Sequence, residues 1–474
     1  MTRRTKIVAT LGPASSDAET IGAMLDAGMN VARISLAHTK FDDAMDLFDT
    51  VRRLAAERDL IIATMLDVPG PLVRIGRTGV DRVELESGDT IELRSGNGST
   101  VPGLVYVDHP DLVAVSSLGD RIHLGESAIV EVTGIADDHL TAEVVFDGML
   151  TGRGAVKLPG DTAALPVMTD RVRDEVARFV DAGIDIVVVS ARWPDDLRQL
   201  DLGIGGPMLV AKIESKEAYG NLPDLIPLAG GIVIGRGGLG LDVPMQDLPH
   251  IQRHITEQCI ASGLPVTIAS QMLDSMISAP TPTRAEATDV SNAILEGASA
   301  VMLSAETAIG ADPALVVETM GRIAARADDR FDHRRWSDRI AALRMAERTD
   351  DVHVTITDAT TMGAAQAAEN MSLTALVCIT TGGFTARSMA RFRPRAAVIG
   401  VSDKMTTVRQ LAASWGVTPV VYQPPTEQYV PKVDAAIERC RQLGLLHSGD
   451  LVGVVTGVAA VRGGTDTFRI LRVP

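Results

Sequence analysis

Lys212-Ile213-Glu214 sets an ammonium and a carboxylate two positions apart. On a β-strand that spacing turns both side chains to one side of the sheet. One cation and one metal-capable oxygen donor could then face the same substrate. Alone, the tripeptide reads more readily as a surface ion pair, and its place at a strand end reverses that reading. Arg33, Asp67 and Ser270 also stand at the ends of segments that read as strands. Gathered at the mouth of a barrel, these five side chains would occupy the place where such folds keep their chemistry. Gly235-Arg236-Gly237-Gly238-Leu239-Gly240 follows another strand. Its amides could cradle an anion, or it could be a flexible turn, and its position argues against a nicotinamide site. His38 has no second histidine nearby and reads as a polar surface or substrate-contacting group rather than a metal ligand. Met272 and Met276, at helical spacing, read as core packing.

The elements that would position these residues are legible. Lys6 to Thr10 reads as a strand, and Ser16-Asp17-Ala18-Glu19 as a capping box opening a helix to about Ala27. Asn30–Ser35 and Leu60–Asp67 follow as strands, separated by a helix. From about Val68 to Lys157 the text changes to short alternating segments such as DRVELESGDTIELRSG and HLTAEVVFDG, which predict an inserted small β barrel or sandwich. Strands resume at Ile184–Val189, Leu209–Ile213, Gly231–Ile234, Pro265–Ala269 and Ala300–Leu303. Eight strand–helix units argue a (β/α)8 TIM barrel, with a doubly wound open sheet as the alternative. After a charged linker, DDRFDHRRWSDR, a C-terminal α/β domain is expected, with strands near Ala375–Ile379, Ala397–Val401 and Leu451–Val455. The expected domains are 1–67 and 158–330 for the barrel, 68–157 for the insert and 331–474 for the last.

The bulk composition narrows the function. A chain of 474 residues is too long for one core. Aromatic residues are 3%, so aliphatic side chains and Met must fill the interior. A net charge of −16 argues against nucleic acid, whose binding needs a basic surface. Any phosphate site must then be locally basic or built from backbone amides. Cys259, Cys378 and Cys440 form no CxxC pair and read as reduced structural thiols. No apolar run suits a membrane span, and the basic start lacks the apolar stretch of a signal peptide, so a cytoplasmic location is expected.

Longer motifs carry a family resemblance. TKIVATLGPAS near the start, AKIES around Lys212, and SQMLDSMISAPTPTRAEATDVSNAILEGASAVMLSAETA from Ser270 resemble the pyruvate kinase family, as do the β insert and TTGGFTARSMARFRPRAAVIGVS. The likeness runs over roughly residues 3 to 474. It implies phosphoryl transfer from phosphoenolpyruvate to ADP, with Mg²⁺ or Mn²⁺, and usually a homotetramer. It further implies that Lys212 and Arg33 stabilise the moving phosphoryl group and that Ser270 stands beside the enolate carbon being protonated. Glu214 would hold the divalent metal and Asp67 a monovalent cation. His38, Arg74 and Arg153 would lie on the nucleotide side, and the insert would be a water-excluding lid.

The chain departs from the family pattern at the site. RGDLG reads Arg236-Gly237-Gly238-Leu239-Gly240, which removes a metal carboxylate. NFSHG reads Ser35-Leu36-Ala37-His38-Thr39, which removes two K⁺ ligands, so K⁺ is expected to be weak or dispensable. DTKGPEIR reads Asp67-Val68-Pro69-Gly70-Pro71-Leu72-Val73-Arg74, and the lid's DDG reads Gly125-Glu126-Ser127. Three functions stay open: a working pyruvate kinase, an enzyme on another enolpyruvate or 2-oxo acid, and a non-catalytic metabolite-binding homologue. In the last domain, Thr380 to Thr385 resembles an effector turn, and Arg387, Arg391 and Arg393 could serve it or face solvent.

Overall fold

The computed structural model describes residues 3–474 except 69, 71–72, 80–81, 126–127, 152–153, 155, 159–167, 201, 204, 347–350, 425–431 and 458–463. The chain forms two compact units, residues 1–68 with 170–474, and residues 69–169.

The larger unit is built on a closed barrel of eight strands: Lys6–Thr10, Val31–Ser35, Ala63–Val68, Ile186–Ser190, Met208–Ile213, Gly231–Gly235, Val266–Ala269 and Ala300–Leu303. All neighbours are parallel, and Lys6–Thr10 closes the ring against Ala300–Leu303. The strands are short runs of Val, Ile, Leu and Ala, buried along most of their length, as a parallel sheet covered on both faces requires. Val8, Met65, Ile186, Val188, Val233 and Met302 pack the interior. Burying each such side chain contributes about 1.5–3 kcal/mol.

The barrel's N-terminal mouth is closed by the chain's own last third. Ala412 and Ala413, in the short helix Leu411–Ala413, join the barrel core. Beside them, the Gln410 amide donates to the carbonyls of Asp185 at 3.2 Å and Gly206 at 3.0 Å. The C-terminal sheet has the order Val417–Val421, Ala397–Ser402, Ala375–Ile379, Leu451–Thr456, Thr467–Arg472, with only the last strand antiparallel.

The smaller unit holds a six-stranded sheet and a two-stranded ribbon, Val83–Leu85 with Gly148–Leu150, around a core that includes Ile91, Leu93, Val105, Ile122 and Val130.

Four expectations change. The first helix, Ala18–Asp26, is capped by Asp17 rather than Ser16, and the Asp17 carboxylate accepts from Thr20 N at 2.9 Å. Asp17 is an equally good cap one residue on, so the local pattern did not separate them. The charged linker is largely a helix, His333–Ala346, with Trp336 buried in it and Phe331 buried just before it. Gly235 to Gly240 is not a loop, because Arg236–Asp242 is helical. Arg391 and Arg393 do not face solvent, at 5% and 1% exposure. The three cysteines and both singled-out methionines are buried.

Candidate functional site

Five of the sequence-predicted residues lie on barrel strands or just past their C-terminal ends, and four form one charged chain. Strand register makes it: Ser35 lies opposite Asp67, Thr10 opposite Arg33, and Ser190 opposite Lys212. The Asp67 carboxylate, 4% exposed, accepts from Arg33 Nε at 2.9 Å and Nη2 at 2.5 Å through Oδ2. Its Oδ1 accepts from Lys212 Nζ at 3.2 Å. Lys212 Nζ also lies 3.4 Å from Glu214 Oε2, and the Ser190 hydroxyl donates to Glu214 Oε1 at 2.5 Å. Arg33 Nη1 completes the array by donating to Thr10 Oγ1 at 2.7 Å.

The electrostatics follow from this chain. Burial alone would raise the Asp67 carboxyl, but the Lys212 and Arg33 charges outweigh it and hold it below its ordinary value. Burial likewise opposes the Lys212 ammonium, yet Asp67 and Glu214 outweigh it and raise Lys212 above its ordinary value. Asp67 therefore stays ionised and Lys212 stays charged across the neutral range. The array offers a fixed positive pair to an anionic substrate and one partly open carboxylate, Glu214 at 26% exposure, to a cation.

Ser270 follows the strand Val266–Ala269 with φ +75°, and Gln271 has φ +53°. Two adjacent non-glycine residues in the left-handed region cost energy and persist only where their surroundings impose them. Arg236 imposes them here. Its Nη2 donates to Ser270 O at 2.6 Å and Gln271 O at 3.2 Å, its Nε to Ala269 O at 3.3 Å, and its Nη1 pairs with Asp289 at 2.6 Å. Arg236 is thus a clamp on the Ser270 turn rather than an anion-binding arm.

Gly238 lies against Glu214. A Cβ there would stand 2.7 Å from Glu214 O and 3.0 Å from Glu214 Cβ. Its φ is not in the left-handed region, so close approach, not backbone conformation, is what a side chain would meet. Neither Glu306 nor Asp242 is free to replace the carboxylate missing at this position. Glu306 accepts from Leu273 N at 3.1 Å and Ser304 N at 2.6 Å, and Asp242 accepts from Lys216 N at 3.1 Å. Among the described residues no three His, Cys, Asp or Glu side chains are grouped as a metal cluster. The residues present fit a divalent ion held by Glu214 and by oxygens of the substrate and water.

The remaining predicted residues are not part of this chain. His38 is exposed in the turn after Val31–Ser35, its amide donating to Ser35 O at 3.2 Å. Arg74 belongs to the smaller unit, where its carbonyl accepts from Asp108 N at 2.8 Å. Arg153 lies outside the described residues, as do Glu126 and Ser127. Thr10, Ser190 and Arg236 were not singled out for these roles. Each was marked all the same: Thr10 and Ser190 are polar residues ending apolar strands, and Arg236 directly follows one.

Comparison with known proteins bears on this array. Residues 2–317 match the family model described as pyruvate kinase, barrel domain, and residues 358–471 that described as pyruvate kinase, alpha/beta domain. The chain is 35% identical to a pyruvate kinase of Methylorubrum extorquens, over 99% of this chain and 97% of that protein. It is 33% identical to a pyruvate kinase of Geobacillus stearothermophilus, over 100% of this chain and 80% of that one. For a Staphylococcus aureus pyruvate kinase the figures are 32%, 99% and 80%.

Proposed function

The chain belongs to the pyruvate kinase family, and on that premise we propose that it moves the phosphoryl group of phosphoenolpyruvate to ADP, giving pyruvate and ATP. The Arg33–Asp67–Lys212–Glu214 chain carries the reading. Phosphoryl transfer depends on positioned positive charge around the moving group. Asp67 fixes the two cations, so their charge is in place before substrate arrives. When bound at Glu214, a divalent ion supplies further positive charge to the phosphoryl oxygens. The bond from phosphorus to the enol oxygen breaks as one to the ADP terminal phosphate forms. The enolate left behind takes a proton at its terminal carbon, on the side of the Ser270 hydroxyl. His38, Arg74 and Arg153 take the nucleotide side in this reading. The protein works in the cytoplasm as a homotetramer. A coupled assay with phosphoenolpyruvate, ADP and Mg²⁺ or Mn²⁺ tests it, and no turnover with either metal would reject it.

Potassium is expected to matter little. Ser35 and Ala37 replace two side-chain ligands, and Asp67 already holds two protein cations. Rates measured at fixed ionic strength should change less than about tenfold on adding K⁺, a change worth about 1.4 kcal/mol. A larger stimulation would show a competent monovalent site.

The Mg²⁺ requirement should be high, because a single carboxylate serves it. Losing even a group that orients a ligand costs about 10- to 100-fold in metal affinity. Gly238→Asp is expected to lower the half-saturating Mg²⁺ by at least that order, with a loss of melting temperature as the helix Arg236–Asp242 moves off Glu214. The tight seat of Gly238 on Glu214 also favours a second reading, a site rebuilt for another enolpyruvate or 2-oxo acid. If the folded variant keeps its metal dependence unchanged, that second reading leads.

A further inference from the structure

Three buried polar atoms have no partner among the described residues, Arg387 Nη1, Arg391 Nε and Ser414 Oγ, and the three residues that carry them all line one cavity. The cavity, about 20 Å³, lies between the barrel and the C-terminal sheet, with Ile260, Leu264 and Pro265 on the barrel side. Arg393 is also in its wall, and no carboxylate lines it.

The charge around it is unbalanced. Arg387 Nη2 donates to Gly382 O at 3.0 Å and forms no ion pair among the described residues. Burial pushes its guanidinium down to about 10. Arg393 spends its donors on the carbonyls of Ile294 and Ala298 and lies over Phe331, Trp336 and Trp415, between 4.6 and 5.3 Å from the ring centres. Burial pushes it to about 9. Arg391 has one carboxylate partner, Asp358 at 2.6 Å, which Arg344 shares at 2.9 Å. Asp328 is engaged by Thr5, Arg4 N and Trp415 Nε1. Three guanidiniums thus share one buried seam, and the nearest carboxylates are already committed. A buried charge without a counter-charge is costly.

We propose that this cavity binds a small monovalent anion of halide size, held by Arg387 Nη1, Arg391 Nε and Ser414 Oγ. Two of the donors are cationic and the third is a hydroxyl, an arrangement that suits an anion better than a neutral guest. The volume suits an occupant about the size of one water molecule, which excludes phosphate and organic acids. The occupant would tie Arg387 and Ser414 to the segment Gly263-Leu264-Pro265, which leads into the barrel strand Val266–Ala269 that Ser270 follows.

The test uses the full chain. Thermal melts in sodium chloride and sodium gluconate, at matched ionic strength and pH, should differ by about 2–4 °C in favour of chloride, saturating with concentration. Arg387→Met should abolish the difference. Crystals soaked in sodium bromide should show an anomalous peak between Arg387 and Ser414. Identical melts in the two salts, or a cavity holding only water in the bromide map, would overturn the assignment. If Arg387→Met does not fold, the bromide map of the unmodified chain decides.

Discussion

Lys212→Met should lower kcat for phosphoryl transfer about 10²- to 10³-fold, or ~3–4 kcal/mol of transition-state stabilisation. The side chain is nearly isosteric without its charge, so the loss isolates the ammonium. Folding should survive, because the array remains partnered. Asp67 keeps both bonds from Arg33, and Glu214 keeps the Ser190 hydroxyl. The expected signature is a drop in kcat and kcat/KM together, the mark of an interaction made in the transition state. Steady-state kinetics with a melting curve beside them check it. Retention of most of the activity would remove Lys212 from the mechanism.

Asp67→Ala should act on stability first. It leaves Arg33 and Lys212 side by side with their shared carboxylate gone, and breaking a buried pair in this way costs about 3–5 kcal/mol. Urea unfolding of the variant against the parent measures the loss, and a change below about 1 kcal/mol, the range of an exposed ion pair, would contradict the geometry. The array also predicts a pH profile. The folded Asp67 lies below its ordinary value of 3.8, so its stabilising contribution is present above that value and lost as pH falls through the lower folded one. The folded Lys212 lies above 10.5, so its contribution is full below 10.5 and lost as pH rises through the higher folded value. Stability assigned to the array should be flat across neutral pH and fail at both extremes, and Asp67→Ala should flatten the acid side.

The barrel was legible because its strands are short aliphatic runs punctuated by polar ends, and the polar ends are the site. Asp67, Lys212, Glu214 and Ser270 could be placed from strand position, since in a barrel the ends of strands distant in sequence converge. What joins them could not. That Arg33 and Lys212 share one carboxylate depends on register, and sequence spacing says nothing of register across 145 residues. The seat of Gly238 on Glu214 is likewise a contact between a helix and a strand end, so the sequence showed a missing carboxylate but not how closely a side chain there would meet Glu214. Phe331 and Trp336 were hidden in text dominated by charge, where the buried side of the helix and the residue leading into it show as two aromatics among Asp and Arg. The buried arginines misled for the opposite reason. Arginine is a surface residue by default, and only the aromatic rings around Arg393 and the carbonyls it meets make an interior place for it.

Gln410 to Ala413 close the floor of the barrel from within the C-terminal third. The two stretches that match separate family models, 2–317 and 358–471, are therefore not cassettes that evolution can shuffle one at a time. A barrel paired with a foreign C-terminal segment would receive an ill-fitting floor, and one without any would leave Met65, Met208 and Val210 open to water. Any change in the residues of one stretch that meet at this floor is therefore a constraint on those of the other.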